Sequence, residues 1–418
     1  MKKYNTDVLI VGAGPAGMAA ALELYSLNIK NIIIVDRDKF AGGLPHLTNH
    51  TGFGMRDIHR ILSGPSYAKH YIKKIKNTKI NLFTETTVTG WLNNNTVTIT
   101  TPNGLGEISS KAILLTTGCR ERPRSARLIP GTRPQGIFNT GSLQDFVHYY
   151  NKPVGKKAAI IGSELVSYSA IHTLKKSGCK PIVMTTEFEK PQIPKLYLPF
   201  KWWSSNPLNK IPIETTSKLT NIIGKDHVKG IELTNIKTGT KKYIDCDTVI
   251  LTGNWIPDHE LARLGNIEIN EKTKGPVIDG HFRTSKEGVF AAGNLLRGAE
   301  PSDIAALEGK HAAKYINNYL TDTQWYSNRI KIKVNEPLKW ISPNAVEFNS
   351  YELPNNTFLF RVNSFIKNST LEIRKGDKLL FSQTYKNLIP NYSYKLSGDW
   401  QNKIDNVQSI NISLILNT

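Results

Sequence analysis

A glycine-rich turn near the N-terminus, Gly12-Ala13-Gly14-Pro15-Ala16-Gly17, limits this chain to a small group of folds. It follows the apolar run Val8–Val11 and opens the alanine-rich stretch Met18–Leu24, which predicts a strand, a tight turn and a helix. In such a turn the first glycine lets the chain turn sharply at the end of the strand. The second glycine lets the backbone come close to a pyrophosphate at the N-terminus of the helix. The third glycine lets the helix pack closely on the strand. The turn therefore predicts a dinucleotide-binding site.

A second apolar strand supports this prediction. Residues 31–35, Asn-Ile-Ile-Ile-Val, end at Asp36, and an acid about twenty residues after such a turn can bond a ribose 2′-hydroxyl. Strand, turn, helix, second strand and terminal acid occur in the expected order. The alternative is a glycine turn that binds no ligand.

Length and charge narrow the function classes. The chain has 418 residues, 39% hydrophobic and 21% charged, which predicts a globular protein of two or three domains. Its net charge is +20, of which residues 325–418 contribute only +5. Because this charge is spread out and no nucleic-acid motif is present, we expect no nucleic-acid partner. No apolar run approaches the ~18 residues of a membrane span.

The first residues do not favour a leader peptide. Met1-Lys2-Lys3 precedes an apolar stretch, but Asp7 and the glycine turn interrupt it. We therefore expect a cytoplasmic protein. The three cysteines, Cys119, Cys179 and Cys246, lie far apart without a Cys-x-x-Cys pair, so the sequence predicts no structural disulfide, metal site or redox dithiol.

The glycine motif has a partial repeat. Residues 158–167 again indicate strand, turn and helix, and two apolar strands end alike, at Thr117-Gly118 and Thr252-Gly253. From Tyr326 onward, short alternating segments separated by turn residues predict β structure.

We therefore predict an α/β protein with two Rossmann-like dinucleotide-binding domains, the second inserted in the first, and a C-terminal all-β appendage. The predicted boundaries are 1–150 with 279–322 for the first domain, 151–278 for the second and 325–418 for the β domain.

These motifs, in this order, resemble the two-dinucleotide-binding-domain flavoprotein superfamily, which includes the pyridine nucleotide–disulfide oxidoreductases. The resemblance implies that the first domain binds FAD, and that a late strand ending in Gly293-Asn294 lies near its ribityl-phosphate part. The family has Gly-Asp there, so an amide replaces the acid. The helix starting near Asp303 would point its positive end at the flavin. The implied cofactor-binding residues are Gly12, Gly14, Pro15, Ala16, Gly17, Asp36, Arg37, Gly43, Leu44, Thr117, Gly118, Gly293, Asn294 and Ile304.

A narrower resemblance is to the small flavin subunits of opine, sarcosine and proline dehydrogenases or oxidases and of hydrogen cyanide synthase. The segments that carry it are Gly42–Pro45, Gly52–Asp57, Arg120–Arg127 and Trp255–Ala262. This chain has His46 and Leu47 where the subgroup has an Arg-His pair. Subgroup members often work beside a second flavoprotein subunit, so the resemblance implies such a partner.

The loop after Gly43 lacks the family's redox dithiol. Pro45 and His50 occupy the positions of its two cysteines, which excludes thiol–disulfide chemistry. His46 and His50 would then lie near the flavin, where either could transfer a proton. The alternative is that both are loop histidines without a catalytic role. We expect no metal at these histidines.

The repeat of the glycine motif is degenerate. Its three glycine positions hold Gly162, Glu164 and Ser167. A carboxylate at Glu164 would face a pyrophosphate, and like charges repel. The second strand ends in Thr185-Thr186, so neither an acid for a ribose nor an arginine for a 2′-phosphate stands at its end. NAD(P) binding in the usual mode is therefore doubtful, and the domain could serve as scaffold or docking surface.

Two further segments could contact ligands or partners. An arginine-rich loop suits phosphates or carboxylates, unless its members are simply solvated; it contains Arg120, Arg122, Arg124, Arg127 and Arg133. Phe200-Lys201-Trp202-Trp203 could contact a partner or a membrane surface, or pack on the second domain.

Three functions remain open. The first is an FAD-dependent oxidoreductase that moves electrons between a small amine- or hydroxy-acid, or a partner flavoprotein, and an acceptor. The second is an NAD(P)H-dependent flavin reductase that acts alone. The third is a non-catalytic assembly subunit with structural FAD.

Overall fold

The chain forms two compact units in a computed structural model that describes residues 2–193, 211–322, 325, 329–347 and 356–404, with the backbone of 409–416. The first unit comprises Met1–His46, Thr51–Cys119 and Ile256–Thr418, and the second comprises Leu47–His50 and Arg120–Trp255. The second unit is thus inserted in the first, as predicted.

The helices and strands follow the chain in three stretches. Before residue 119 they are β1 (Lys2–Val11), α1 (Pro15–Ser26), β2 (Ile32–Val35), α2 (Leu44–Leu47), β3 (Thr51–Phe53), β4 (Leu62–Ser63), α3 (Gly64–Lys76), β5 (Asn81–Phe83), β6 (Thr87–Trp91), β7 (Thr96–Thr101) and β8 (Gly104–Leu115). From 119 to 257 they are β9 (Cys119–Glu121), β10 (Ile137–Asn139), α4 (Thr140–Gln144), β11 (Lys157–Ile161), α5 (Leu165–Lys176), β12 (Lys180–Thr185), β13 (Ile213–Glu214), β14 (Ser217–Gly224), β15 (Val228–Asn235), β16 (Lys241–Asp245), β17 (Thr248–Leu251) and β18 (Trp255–Pro257). After 257 they are α6 (Glu260–Leu264), β19 (Val289–Ala291), α7 (Ser302–Asp322), β20 (Arg329–Val334), β21 (Leu338–Ser342), β22 (Ala345–Glu347), β23 (Thr357–Val362), β24 (Ile366–Lys375), β25 (Lys378–Leu388), β26 (Tyr394–Ser397) and β27 (Ser409–Leu416).

The central sheet of the first unit has the order β5-β2-β1-β8-β7-β6, with β19 also paired to β8. Strands β5, β2, β1, β8 and β19 are parallel, whereas β6 and β7 form an antiparallel hairpin against β8. Their apolar runs are buried on both faces, as parallel strands require. This topology brings the ends of β1, β8 and β19, and hence the glycine turn, Thr117 and Gly293, to one edge of the sheet.

Helix α1 is held between the sheet and α7 by backbone approach. Its face consists mainly of buried alanines, and a Cβ on Gly309 of α7 would lie closer to the Ala16 carbonyl oxygen than real Cβ contacts allow. A Cβ on Gly17 would likewise meet the Gly12 carbonyl oxygen. The small residues of α1 and α7 therefore let these elements pack at short distance.

The second unit contains an all-parallel sheet in the order β10-β17-β11-β12-β13 and an antiparallel sheet of β14, β15 and β16. Helix α5 follows β11 and packs its buried face on this sheet, so the unit repeats the strand–turn–helix arrangement of the first. Together with the first sheet this confirms the predicted α/β class with two Rossmann-like sheets.

The C-terminal segment forms two further sheets within the first unit. Their orders are β22-β20-β27-β24-β25 and β21-β23-β26. This segment has a hydrophobic cluster of its own, in which Trp400 stacks on Phe358 with ring centroids 5.1 Å apart. An all-β segment is thus present where the alternating pattern predicts one.

The compact units divide at positions that differ from the predicted boundaries. Residues 120–150 fall in the second unit because β10 pairs in parallel with β17. Residues 256–278 fall in the first unit, where the Trp91 indole N–H donates to the Leu261 carbonyl oxygen over 2.9 Å. The β segment also groups with the first unit, since the Ala345 N–H donates to the Ile278 carbonyl oxygen over 3.1 Å. These pairings are long-range, and local sequence patterns carry no signal for them.

In the part of the chain that the structure describes, no helix combines the length and the apolar character needed to span a membrane.

Because α1 and α7 approach each other so closely, one added methyl group between them should lower the stability of the protein strongly. We expect Gly309→Ala to lower the free energy of unfolding by about 2 kcal/mol or more, as forced overpacking does. Gly141→Ala is the matched control, because a Cβ there meets nothing within 4 Å; its stability should change by less than about 0.5 kcal/mol. Urea unfolding followed by circular dichroism measures both, and wild-type stability of G309A would contradict the packing argument.

Candidate functional site

The glycine turn after β1 is closed by backbone contacts. Gly12 has a φ of +110°, and a Cβ there would collide with the Thr116 carbonyl oxygen at the end of β8. The Gly12 N–H donates to the Val35 carbonyl oxygen over 2.8 Å. The turn is therefore fixed against the ends of both neighbouring strands.

Gly14 faces open space. It is the residue before α1, with an extended φ of −78° and ψ of −175°, and a Cβ added to it meets no atom within 4 Å. Pro15 follows at the first position of α1, and no acidic side chain lies in the first turn of the helix. An uncapped helix N-terminus beside open space is suited to a phosphate group. The residues of this turn thus fit the pyrophosphate of a dinucleotide.

Asp36 lies beside the same turn. Its Oδ2 accepts a hydrogen bond of 2.6 Å from the Ala13 N–H, and its Oδ1 accepts one of 2.9 Å from the Asp38 N–H. Burial raises the pKa of Asp36, while these two N–H groups favour the charged form. The side chain therefore holds the turn in shape at the position where a ribose hydroxyl would be bonded.

Asp258 connects three of the predicted cofactor residues. Its Oδ2 lies 3.1 Å from a guanidinium nitrogen of Arg37, and its N–H donates to the Gly118 carbonyl oxygen over 2.9 Å. Its carbonyl oxygen accepts a bond of 2.7 Å from the Thr117 hydroxyl. Sequence reasoning missed Asp258, although it lies in the Trp255–Ala262 motif.

The loop after Ala41 lies against the glycine turn. The Gly42 N–H donates to the Ala13 carbonyl oxygen over 2.9 Å, and a Cβ on Gly43 would be 3.1 Å from the Gly14 Cα. Gly43 has a φ of +59°, which favours glycine. The predicted residues Gly43 and Leu44, the first residue of α2, are thereby placed near Gly14.

Gly293 and Asn294 lie at the end of β19. The Gly293 N–H donates to Glu308 Oε2 over 3.1 Å, and a Cβ on Gly293 would be 2.8 Å from the Cβ of Ala16. The Asn294 side-chain oxygen accepts a bond of 3.1 Å from the Glu300 N–H. The late strand end and the glycine turn, far apart in sequence, are thus brought together, and their binding of one cofactor stays a prediction. Glu308 was missed, and an acid in the alanine-rich start of α7 is the signal that could have found it.

The start of α7 is fixed by an ion pair. Asp303 accepts bonds of 3.1 Å and 3.0 Å from the Arg56 guanidinium and one of 3.1 Å from the Arg56 N–H. The Asp303 side chain is buried. This carboxylate offsets part of the positive end of the helix dipole next to Ile304, which reduces the field that was predicted there.

The two candidate proton-transfer residues belong to different units. His46 lies in α2 of the first unit and stacks on Phe40 with ring centroids 5.6 Å apart. His50 lies in the second unit, where its ring is 6.3 Å from that of His172. Near it, burial and Lys176 lower the pKa of His148 to about 4. The proton-transfer role of either histidine stays a prediction. Among the described residues, no three His, Cys, Asp or Glu side chains are grouped as metal ligands.

The degenerate turn of the second unit contains its own carboxylate. Glu164 directly precedes α5, and its Oε2 accepts a bond of 3.0 Å from the Ser163 N–H. Its Oε1 lies 3.0 Å from the Thr252 hydroxyl, and a Cβ on Gly253 would collide with the same oxygen. The Ser167 hydroxyl lies 2.7 Å from that of Thr252. The side chain of Glu164 therefore occupies the turn where a nicotinamide dinucleotide would bring its phosphates.

Arginines of the loop after β9 are bonded within the second unit. Arg127 donates to the carbonyl oxygens of Thr252 and Gly253 over 2.8 Å each, and Arg124 donates to that of Pro130 over 2.6 Å. Beside Arg127, burial raises the pKa of Glu121 to about 7, although Glu121 accepts backbone N–H bonds. These two arginines hold loops in place. The predicted aromatic patch Phe200-Lys201-Trp202-Trp203 lies outside the described residues.

The sequence matches the protein family described as pyridine nucleotide-disulphide oxidoreductase over residues 6–309. The chain belongs to this family. Membership confirms the predicted enzyme class, an FAD-dependent oxidoreductase, and FAD as the cofactor of the family.

Individual relatives are distant. One component of the alkyl hydroperoxide reductase of Staphylococcus aureus is 26% identical over 296 residues, 70% of this chain and 54% of that protein. The chain thus spans about half the length of this relative. A ferredoxin–NADP reductase from Ignicoccus hospitalis is 24% identical over 330 residues, 76% of this chain and 99% of that protein. The crystal structure of thioredoxin reductase from T. acidophilum shares the fold, with a TM-score of 0.61 and 22% identity over 75% of this chain and 98% of that one.

The open space at Gly14 predicts that one substitution there weakens FAD binding and leaves the stability of the apoprotein unchanged. Gly14→Ala leaves the backbone unstrained, so the apoprotein should unfold like the wild type. Its methyl group would occupy the place of the pyrophosphate, and we expect the dissociation constant for FAD to rise at least about tenfold. Quenching of flavin fluorescence on titration of the apoprotein measures this constant. Gly141→Ala, in the second unit, should bind FAD like the wild type, and equal affinity of G14A would contradict the placement.

Proposed function

We propose that this protein is an FAD-dependent oxidoreductase that takes electrons from a small amine- or hydroxy-acid, or from a partner flavoprotein, and passes them to an acceptor without a redox dithiol. The observation that carries this proposal is the contrast between the two glycine turns. Gly14 leaves open space at the N-terminus of α1, whereas the Glu164 carboxylate fills the corresponding turn before α5. A pyrophosphate is repelled by that carboxylate and would have to displace it.

The cysteines support a reaction without thiol exchange. Cys119, Cys179 and Cys246 are all buried, and none of them forms a disulfide. Burial raises the pKa of Cys179 to about 11 and that of Cys246 to about 12, which keeps both as unreactive thiols. Pro45 and His50 stand where the disulfide reductases have their cysteine pair.

The residues around the glycine turn would hold FAD. Gly14 and the start of α1 would bind its pyrophosphate, Asp36 its adenosine ribose, and Gly293 with Asn294 its ribityl-phosphate part. When bound, the flavin supplies two-electron redox chemistry. His46 is the residue of the first unit that we propose for proton transfer during substrate oxidation, with His50 of the second unit as the alternative.

A partner and a subgroup are part of this proposal. The motifs shared with the small flavin subunits of opine, sarcosine and proline dehydrogenases support a place in a heteromeric enzyme beside a second flavoprotein subunit. The three cysteines outside disulfides support a cytoplasmic location. Peripheral contact with a membrane through Trp202-Trp203 stays a further prediction.

A flavin reductase that oxidises NAD(P)H alone is the second candidate. The relative named ferredoxin–NADP reductase favours it, because 99% of that protein is covered by the match.

Anaerobic reduction of the FAD-loaded protein distinguishes the candidates. We expect slow bleaching by NADH and NADPH and faster bleaching by one member of a panel of glycine, proline, opines and glycerol-3-phosphate. Rapid bleaching by NAD(P)H alone would favour the reductase, and a protein that takes up no FAD would contradict both. Bleaching by no donor would favour the assembly subunit.

The position of Glu164 predicts that removing its side chain strengthens the binding of NADH. In Glu164→Ala the N–H groups before α5 lose their internal carboxylate partner, and we expect the dissociation constant for NADH to fall about tenfold. Titration followed by NADH fluorescence measures it. Glu189→Ala is the control, because Glu189 is an exposed carboxylate paired with Lys237 in the same unit. Weaker NADH binding in E164A would show that Glu164 contacts the nucleotide, and would overturn this argument.

A further inference from the structure

A cluster of buried charges joins the C-terminal β segment to the end of β19. The Arg297 cluster consists of Arg297, Glu300, Glu308 and Arg361. The exposed fractions of the Arg297 and Glu300 side chains are 1% and 2%, and that of the Arg361 side chain is 9%. A buried charge is costly unless it is paired, so each charged side chain of this cluster needs a partner of opposite charge.

The pairing runs from β23 to the backbone of Gly293. Arg361 on β23 donates to Glu300 Oε1 over 2.7 Å and to the Ala299 carbonyl oxygen over 2.6 Å. Glu300 Oε1 lies 3.5 Å from Nε of Arg297, which in turn pairs with Glu308. Each contact in this series is between groups of opposite charge or between a guanidinium and a carbonyl oxygen.

The cluster holds both Gly293 and Asn294, the two residues predicted to bind the ribityl-phosphate part of the cofactor. Glu308 Oε2 accepts the Gly293 N–H over 3.1 Å, and the Glu300 N–H donates to the Asn294 side chain over 3.1 Å. The directions of the Gly293 N–H and of the Asn294 amide therefore depend on two carboxylates whose charge is balanced by Arg297 and Arg361. Loss of the Arg361 charge would leave Glu300 and Glu308 with one guanidinium between them.

Two further residues of the β segment lie beside the guanidinium groups of the Arg297 cluster. The Trp340 ring of β21 lies 5.9 Å from the Arg297 guanidinium and 5.1 Å from that of Arg361, within the range of cation–π attraction. The Ser342 hydroxyl accepts a bond of 3.2 Å from Arg297. The β segment also has an apolar cluster of its own.

We infer that Arg361 is a positioning residue for the FAD site, acting through Glu300, Arg297 and Glu308 on Gly293 and Asn294. The C-terminal β segment is then a working part of the flavin site, supplied from beyond the residues 6–309 that match the family. This inference rests on the proposed binding of FAD at Gly293 and Asn294.

The test compares FAD binding with stability in variants of the Arg297 cluster and in one control variant. Arg361→Met removes the charge and keeps an unbranched side chain, and Glu300→Gln keeps the backbone N–H to Asn294 but removes the carboxylate. Arg374→Met is the control, because Arg374 lies in the same β segment and pairs with Glu372 at the surface. For each we would measure the dissociation constant of FAD, the visible circular dichroism of the bound flavin, its reduction potential and the thermal unfolding of the apoprotein.

We expect R361M and E300Q to raise the dissociation constant for FAD at least about tenfold and to change the visible dichroism and the potential. R374M should match the wild type, and Arg361→Lys should recover part of the affinity because it keeps the charge. If R361M does not fold, the same measurements on E300Q and R361K decide. Lower apoprotein stability with unchanged FAD affinity, dichroism and potential would show a merely structural role and overturn the inference. Failure of the wild type to bind FAD would instead contradict the proposed function.

Discussion

The close approach of backbone to backbone around α1 is the constraint on which the first unit depends. Gly12 lies against the end of β8, Gly17 against Gly12, and Gly309 of α7 against Ala16, with no room for a side chain at these points. This packing places the N-terminus of α1, the end of β19 and the start of α7 within one small region. Uncapped N–H groups and open space at Gly14 occur together there, and this combination suits an anion.

The second unit uses the same strand–turn–helix arrangement with a different occupant. At its turn, the Glu164 carboxylate accepts the Ser163 N–H and fills the space between Gly162 and Gly253. A fixed internal anion satisfies the same positive end of a helix that a phosphate would satisfy from outside. One fold thus provides an open turn at Gly14 and a turn that the Glu164 side chain fills.

Buried ion pairs join the C-terminal β segment to the remainder of the first unit. Besides the Arg297 cluster, Arg283 pairs with Asp279 at 2.9 Å and also with Glu347 of β22. Such pairs are costly to break because removing one partner leaves an uncompensated buried charge. They specify one geometry for the segment, and in the Arg297 cluster that geometry extends to Gly293.

Local patterns in the sequence were sufficient for the glycine turn, the strand before Asp36, the repeat at residues 158–167 and the C-terminal β segment. Each of these depends on neighbouring residues, on spacing or on the absence of a side chain, which the sequence displays directly. The α/β class and the loss of the dithiol followed from the same kind of signal.

The tertiary structure alone decided which distant residues meet. The unit boundaries near residues 120 and 255, the contacts of Asp258 with Arg37 and Thr117, and the contact of Glu308 with Gly293 all join positions that are separated along the chain. The same holds for Glu164, whose charge the sequence displays but whose return into its own turn depends on Thr252. Such contacts are set by strand pairing and by the need to pair each buried charge, and neither appears in a local pattern.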